Sequence, residues 1–257
     1  MIEKLVRFQR PDTALPYLVG ADDTRIAAIF GLDGDAYRAM LADLDQQVRQ
    51  AAEELLADRG FAHAVDRLPL KGHVVAVGES TTADRLSWFE ILRHAVTLRR
   101  PDDGVRFTNL AVTGSTTTQA LGQVASLGFH RPDLVLCMLG GNDARRVGPG
   151  APTLVGLPET ERNLALLHDL AQRPWIWLTP SAVNEAKVAE FPHFQRAGIG
   201  WANADLDRIA EYLLDRPEPT VDTRFSDDLY LDDGVHVDLA GHREIAVRVV
   251  HALAGAS

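Results

Sequence analysis

From residue 73 onward, short apolar runs alternate with stretches of helical periodicity, and this alternation limits the possible folds more than any other feature. The apolar runs cover residues 74–77, 105–112, 134–139 and 175–178, with a weaker fifth run at 221–225. Strands that alternate with helices form βαβ units, in which helices cover both faces of a parallel sheet. The pattern predicts an α/β fold with a mostly parallel five-stranded sheet.

The first 70 residues have a different pattern, with one long stretch of helical periodicity and no chemical motif. Asp35 is the predicted N-cap of this helix, and Gly60 is its predicted end. The apolar positions that define its buried side are Tyr37, Met40, Leu41, Leu44, Val48, Leu55 and Leu56. We therefore expect a helical extension over residues 1–70 that packs on a core domain over residues 71–257. A structural role and a docking or lid role are both open.

Composition indicates a soluble globular protein and excludes several classes of partner. The chain is 46% hydrophobic and 24% charged, and its formal net charge of −10 argues against a nucleic-acid partner. No segment approaches the ~18 consecutive apolar residues that span a bilayer. Residues 1–20 carry several charges and do not resemble a secretory signal, so we expect a cytoplasmic location. The single cysteine, Cys137, lies in an apolar run, which predicts a buried and unreactive thiol.

Polar residues and glycines follow several of the predicted strands. Ser80, Gly114 and Asn142 come after the first, second and third runs, and Asp233 and His236 come just before the last helix. Open α/β sheets bind their ligands outside the carboxyl ends of the strands. The sequence therefore predicts that these five positions meet at one rim of the sheet.

Three of these residues have the chemistry of a nucleophile and its base. Ser80 stands at a strand-to-helix junction, where its hydroxyl can be exposed, although serine is also a common helix N-cap. Asp233 precedes His236 by three residues, a spacing that lets the carboxylate fix one imidazole tautomer. A loop with a capping aspartate and a surface histidine is the alternative interpretation of that pair.

Gly114 and Asn142 are candidate donors to an oxyanion. Asn142 lies in a Gly-Gly-Asn-Asp segment, and its side-chain amide can donate a hydrogen bond to a tetrahedral intermediate. The backbone N–H of Gly114 is a second candidate, and ordinary turns are the alternative for both residues. The histidines show no metal-ligand spacing and there is no phosphate-binding glycine loop, so we expect neither a metal nor a nucleotide cofactor.

Four sequence blocks occur in an order that resembles a known family. They are Gly-Glu-Ser-Thr-Thr from residue 78, Asn-Leu-Ala-Val-Thr-Gly from 109, Gly-Gly-Asn-Asp from 140 and Asp-Gly-Val-His from 233. This order is similar to that of the SGNH hydrolases, also called GDSL-type esterases and lipases, over residues 74–253. The resemblance implies a flavodoxin-like three-layer α/β/α fold.

The resemblance also implies a role for each candidate residue. Ser80 would be the nucleophile and His236 the base, with Asp233 as the residue that orients His236. The N–H groups of Ser80 and Gly114 and the side chain of Asn142 would form the oxyanion hole. The segment after His236 looks like the family's closing helix, in which we interpret His242 as a structural residue.

The sequence departs from the family pattern at Glu79, where the family usually has aspartate. The extra methylene moves the carboxylate and is expected to shift the contacts that brace the oxyanion site. The resulting hypothesis is a metal-free esterase that acts on a small-molecule carboxylic ester through an acyl-enzyme. An acyltransferase with the same triad, a catalytically silent binding protein and a flavodoxin-like cofactor binder are the alternatives. The acyl chain, the alcohol part and the oligomeric state are not legible in the sequence.

Overall fold

A parallel sheet of five strands forms the centre of the computed structural model, which describes residues 2–14, 21–225 and 228–255. The strands in the described residues are β1 (His73–Gly78), β2 (Arg106–Asn109), β3 (Leu134–Met138), β4 (Arg146–Val147), β5 (Trp175–Leu178), β6 (Ile199–Gly200) and β7 (Thr220–Val221). The order in the main sheet is β2-β1-β3-β5-β7, and every neighbouring pair is parallel. The predicted five-stranded α/β sheet is thereby confirmed. The short antiparallel pair β4–β6 was not predicted.

Helices cover both faces of this sheet. They are α1 (Ile2–Phe8), α2 (Pro11–Ala14), α3 (Asp23–Ile29), α4 (Gly34–Leu56), α5 (Arg59–Asp66), α6 (Ser80–Ala83), α7 (Trp88–Arg99), α8 (Thr117–Leu121), α9 (Val124–His130), α10 (Leu157–Ala171), α11 (Glu185–Glu190), α12 (Pro192–Ala197), α13 (Asn203–Leu214) and α14 (Leu239–Gly255). Because side chains alternate across a strand, the two faces build separate cores. On one face Val74 and Leu136 pack with α4, α5, α7 and α14, and on the other Val75 and Cys137 pack with α8, α9, α10 and α13.

Two predicted strands are shorter than expected, and side chains bind the backbone just beyond each strand end. The run at 105–112 leaves regular strand geometry after Asn109, whose side-chain oxygen accepts from the N–H of Ala111 at 3.1 Å. The run at 221–225 ends as a strand at Val221. Beyond it, the N–H of Thr223 donates to the hydroxyl of Thr179 at 3.0 Å. Both changes occur at the rim where the candidate residues lie.

The long N-terminal helix is present, but both of its predicted ends were wrong. Asp33 is the N-cap, since its side chain accepts from the N–H of Ala36, and Asp35 lies inside the first turn of α4. The helix ends at Leu56, and Gly60 belongs to α5, which Asp58 caps. Further along the chain, Ser87 caps α7, which begins at Trp88.

Two sequence predictions concern the burial of Cys137 and the absence of membrane-spanning segments. Cys137 is fully buried in β3, and this burial raises the pKa of its thiol well above the ordinary value, as expected for an unreactive cysteine. In the described part of the chain, no helix is both long enough and apolar enough to cross a membrane.

Candidate active site

Ser80 is the first residue of α6, directly after β1. The N-cap position belongs to Glu79, whose side chain makes no capping bond, so the alternative interpretation of Ser80 as an N-cap was wrong. Ser80 is 8% exposed and lines a small cavity of about 30 Å³ together with Asn142, Trp201 and Val235. The hydroxyl thus lies at a cavity on the carboxyl side of β1, next to the loop that contains His236.

Asp233 and His236 form the one directly bonded pair among the predicted triad residues. Nδ1 of His236 lies 2.9 Å from Oδ2 of Asp233, while Oδ1 accepts from the backbone N–H groups of Val235 and His236. Asp233 is 1% exposed. Burial opposes its ionisation. The hydrogen bond and charge of His236, with a smaller contribution from Lys4, nevertheless hold the pKa of Asp233 well below its usual range.

The turn between these two residues needs a glycine. Gly234 has φ +70°, and a Cβ built there would lie 2.6 Å from the carbonyl oxygen of Asn184. A side chain at this position would therefore both strain the backbone and collide with the loop before α11. Gly234 thus allows the tight turn in which the carboxylate of Asp233 reaches the imidazole of His236.

The structure does not join every candidate residue by a hydrogen bond. Within the described ranges, the hydroxyl of Ser80 and the imidazole of His236 form no hydrogen bond. Catalytic hydrogen bonds are often long or poorly aligned without substrate and tighten when it binds. Ser80 and His236 are instead connected through Val235, which precedes His236 and lines the Ser80 cavity.

Glu79 connects the loop after β1 to the loop after β3. Its Oε1 accepts from the N–H of Gly141 at 2.9 Å. Its Oε2 accepts from the N–H of Asn142 at 2.9 Å and from the Asn142 side chain at 2.5 Å. A Cβ on Gly141 would lie 2.5 Å from Oε1, so only glycine admits this carboxylate. The longer side chain of Glu79 therefore reaches the segment that carries the candidate oxyanion donor.

The amide of Asn142 also binds the loop that follows β2. Its nitrogen donates to the carbonyl oxygen of Ser115 at 3.2 Å, and Ser115 follows Gly114, which has φ +82°. Both amide hydrogens of Asn142 thus have protein acceptors, Glu79 and Ser115. The structure brings Asn142 and the Gly114 loop together, as the sequence predicted. Any further acceptor at this nitrogen would have to replace one of these two.

Asp143, the residue after Asn142, binds the loop after β3 to α8 and α10. Its carboxylate accepts from the N–H and the hydroxyl of Thr117 and from the hydroxyl of Thr160. Asp143 is fully buried, and burial raises its pKa although these hydrogen bonds oppose the shift. The Gly-Gly-Asn-Asp segment therefore combines a candidate functional side chain with a structural one.

Glu79 is expected to make the protein less stable as the pH rises. Burial raises its pKa to about 7 from 4.5, against the lowering effect of the Asn142 and Gly141 donors. The folded state therefore keeps a proton that the unfolded state loses, and this contribution is complete below pH 4.5 and disappears as the pH rises to about 7. We expect Glu79→Gln to remove a decrease of about 3 kcal/mol in the free energy of unfolding between pH 4.5 and 7.

Urea unfolding across this pH interval measures the effect. Glu190→Gln makes the same chemical change at an exposed position and serves as the matched control. A Glu79→Gln variant whose stability declines with pH as steeply as that of the wild type would contradict the assignment.

Two residues of α1 that the sequence analysis did not select lie against the Asp233–His236 pair. Nζ of Lys4 is 2.8 Å from Oδ2 of Asp233, and the rings of Phe8 and His236 have centroids 4.6 Å apart. Their spacing of four residues places them on one face of a helix, but nothing in the sequence identifies the partner of that face.

His242 is buried behind the site, consistent with the structural role predicted for it. Its Nε2 lies 2.9 Å from Oδ2 of Asp84, and Asp84 also accepts from the guanidinium of Arg7. Burial opposes ionisation, but His242 and Arg7 hold the pKa of Asp84 down at about 2. This buried charge network links α14 and α1 to the segment that follows Ser80. Within the described residues, no group of three or more His, Cys, Asp or Glu side chains is placed to hold a metal ion.

Comparison with solved structures shows the same fold in several hydrolases. A variant of Axe2, an acetyl xylan esterase from Geobacillus stearothermophilus, has a TM-score of 0.56 at 16% identity, covering 73% of this chain and 96% of that one. LAE5, an α/β hydrolase enzyme from the metagenome of Lake Arreo in Spain, has a TM-score of 0.56 at 20% identity, covering 73% and 97%. The lipase/acylhydrolase from Enterococcus faecalis has a TM-score of 0.56 at 18% identity, covering 72% and 96%. At these identities the likeness concerns the fold alone.

A comparison with curated proteins gives no match. The family model of the GDSL-like lipases and acylhydrolases matches residues 76–244, about two thirds of the chain, and this range includes Ser80, Gly114, Asn142, Asp233 and His236. The chain therefore belongs to the GDSL-like lipase/acylhydrolase family.

Proposed function

We propose that this protein is a serine esterase that hydrolyses a short-chain carboxylic ester through an acyl-enzyme on Ser80. The observation that carries the proposal is the hydrogen bond between Asp233 and His236, whose loop borders the cavity lined by Ser80. Membership of a family of esterases and acylhydrolases supports the reaction class.

The proposed acylation step begins with proton transfer from Ser80 to His236. The serine oxygen attacks the ester carbonyl, and Nε2 of His236 takes the hydroxyl proton because Nδ1 is held by Asp233. His236 then protonates the departing alcohol. A water molecule attacks the acyl-enzyme with the same base, which releases the acid and restores Ser80.

The negative charge of the tetrahedral intermediate needs preorganised donors. The N–H groups of Ser80 and Gly114 and the side chain of Asn142 are the proposed donors. Glu79 supports this assignment, because it holds the backbone and the amide of Asn142 from the side of β1. The longer contact of Asn142, with Ser115 at 3.2 Å, is the one that a substrate oxygen would replace.

The size of the Ser80 cavity favours a short acyl group. A volume of about 30 Å³ leaves room for only a small group of atoms. Met138, Val183 and Leu206 contribute apolar walls, which suit a methyl group better than a charged one. We therefore propose acetyl esters as the preferred substrates, in line with the acetyl xylan esterase among the structural neighbours.

The experiment that tests this function combines active-site labelling with a chain-length series. We expect a fluorophosphonate probe to form an adduct on Ser80, and acetate to be hydrolysed faster than butyrate and octanoate among p-nitrophenyl esters. Absence of an adduct together with absence of turnover would indicate a silent binding protein. Preferential formation of a new ester in the presence of a competing alcohol or sugar would identify an acyltransferase instead.

A further inference from the structure

Three residues on one face of α1 contact the loops of the candidate active site. Lys4 binds Asp233, Arg7 binds Asp84, and Phe8 packs on the ring of His236. Positions 7 and 8 lie about one helical turn after position 4, so a single helix face provides all three contacts. The family model begins only at residue 76 and includes none of them.

Lys4 completes the set of hydrogen bonds around Asp233. Oδ2 of Asp233 is shared by the ammonium of Lys4 at 2.8 Å and by Nδ1 of His236 at 2.9 Å, while Oδ1 accepts two backbone N–H groups. A carboxylate with donors on both oxygens has little freedom to rotate. Lys4 is the fourth donor to Asp233 and further restrains the orientation in which Asp233 holds the imidazole.

Phe8 connects the His236 loop with the loop of the candidate oxyanion donors. Its ring lies over His236 with an interplanar angle of 50°, and its carbonyl oxygen accepts from the hydroxyl of Thr113, the residue before Gly114. Phe8 is 5% exposed. An aromatic ring packed against the imidazole limits the tilt of that imidazole without supplying a proton donor or acceptor.

Polar contacts hold α1 in this position. Both oxygens of the buried Asp84 accept from Arg7, the N–H of Arg85 donates to the carbonyl of Arg7 at 3.1 Å, and Arg10 donates to the carbonyl of Ala83 at 2.7 Å. These partners, residues 83–85, form the end of α6 and the two positions that follow it. The segment that carries the proposed nucleophile thus also anchors the helix that contacts the proposed base.

We propose that α1 is part of the catalytic site, with Lys4 and Phe8 as positioning residues for the Asp233–His236 pair. This inference rests on the proposed function, because it assigns both residues to the base of that reaction. It gives the N-terminal extension a role in catalysis in addition to packing.

The ammonium of Lys4 gives this role a measurable signature. It donates to the same carboxylate oxygen that binds Nδ1 of His236, so its removal frees Asp233 on that side. The proton between Asp233 and His236 is therefore expected to report the loss of Lys4.

The test compares Lys4→Met with Lys4→Arg and with Lys71→Met. Lys71 is exposed and precedes β1 at the opposite end of that strand, so it is a matched control for loss of one lysine charge. We expect Lys4→Met to lower kcat by about threefold to tenfold with little change in KM, because a less restrained Asp233 holds the imidazole less firmly. The effect is modest because the Lys4 side chain is 51% exposed. Lys4→Arg should restore the wild-type kcat, and Lys71→Met should keep it.

A second variant and a spectroscopic signal separate positioning from general stability. Phe8→Leu should lower kcat by about tenfold with little change in KM, because a misplaced base slows the chemistry without weakening binding. The proton on Nδ1 of His236 should give a downfield NMR signal that broadens in Lys4→Met and stays sharp in Lys71→Met.

The outcomes distinguish failure of this inference from failure of the proposed function. A wild-type kcat and a wild-type NMR signal in Lys4→Met would overturn the positioning role, whatever residue is the nucleophile. Broadening of the Nδ1 signal in Lys4→Met combined with full hydrolysis by Ser80→Ala would keep the positioning contact and reject Ser80 as the nucleophile.

Discussion

Ser80→Ala is expected to lower kcat for p-nitrophenyl acetate by about 10⁵- to 10⁶-fold, the usual cost of removing a catalytic serine. Alanine removes only the hydroxyl oxygen, and Ser80 already lies at the first position of α6, where its side chain is not needed as a cap. The variant should therefore fold like the wild type and still bind substrate. Stopped-time assays with excess enzyme measure the residual rate, and thermal unfolding checks the fold.

Ser181→Ala is the matched control for this experiment. Ser181 lines the same cavity, and its buried hydroxyl has no hydrogen-bond partner in the described part of the chain. We expect this variant to retain activity within about fivefold of the wild type, since no charge develops on its oxygen in the proposed reaction. Equal losses in both variants would show that the cavity, and not one nucleophile, determines the rate.

Asn142→Ala is expected to produce the second largest loss, about 10²- to 10³-fold in kcat with little change in KM. Removal of one oxyanion donor raises the barrier by about 3 to 4 kcal/mol, because the lost hydrogen bond is strongest in the transition state. Burst kinetics with an activated ester would place the loss in the acylation step.

The control for Asn142→Ala has to account for the contacts of the loop. Trp201→Phe removes the hydrogen bond of 2.8 Å from the indole to the carbonyl of Gly141 and leaves the Asn142 amide in place. We expect Trp201→Phe to cost less than tenfold in kcat. If this variant were as slow as Asn142→Ala, loosening of the loop would explain both, and Asn142 would lose its assigned role.

The sheet was predictable from the sequence because buried parallel strands leave uninterrupted apolar runs. Residues 74–77, 134–139 and 175–178 correspond closely to β1, β3 and β5. The pair β4–β6 has only two residues in each strand, too few for a recognisable period. The start of α4 was missed because Asp33 and Asp35 are equally good N-caps by composition. Its end at Leu56 was missed because the sequence has no glycine there.

The candidate site was predictable where its residues are close in sequence or follow strands. Asp233 and His236 are three residues apart, and their contact is present in the structure. The three donors to Glu79 could not be foreseen, because they depend on how far a longer carboxylate reaches across to Gly141. Lys4 and Phe8 lie far in the chain from Asp233 and His236. The sequence of a helix face does not indicate which loop that face contacts.

The contact between Lys4 and Asp233 joins residues 229 positions apart, so it can form only after nearly the whole chain has been synthesised. While the protein is being synthesised, Ser80 and α1 leave the ribosome long before the loop around His236 does. Until that loop is made, Lys4 and Phe8 lack their contacts with Asp233 and His236, and Ser80 lacks its proposed base. Under the proposed function, a polypeptide released before residue 236 would therefore lack the base of the reaction and hydrolyse no ester.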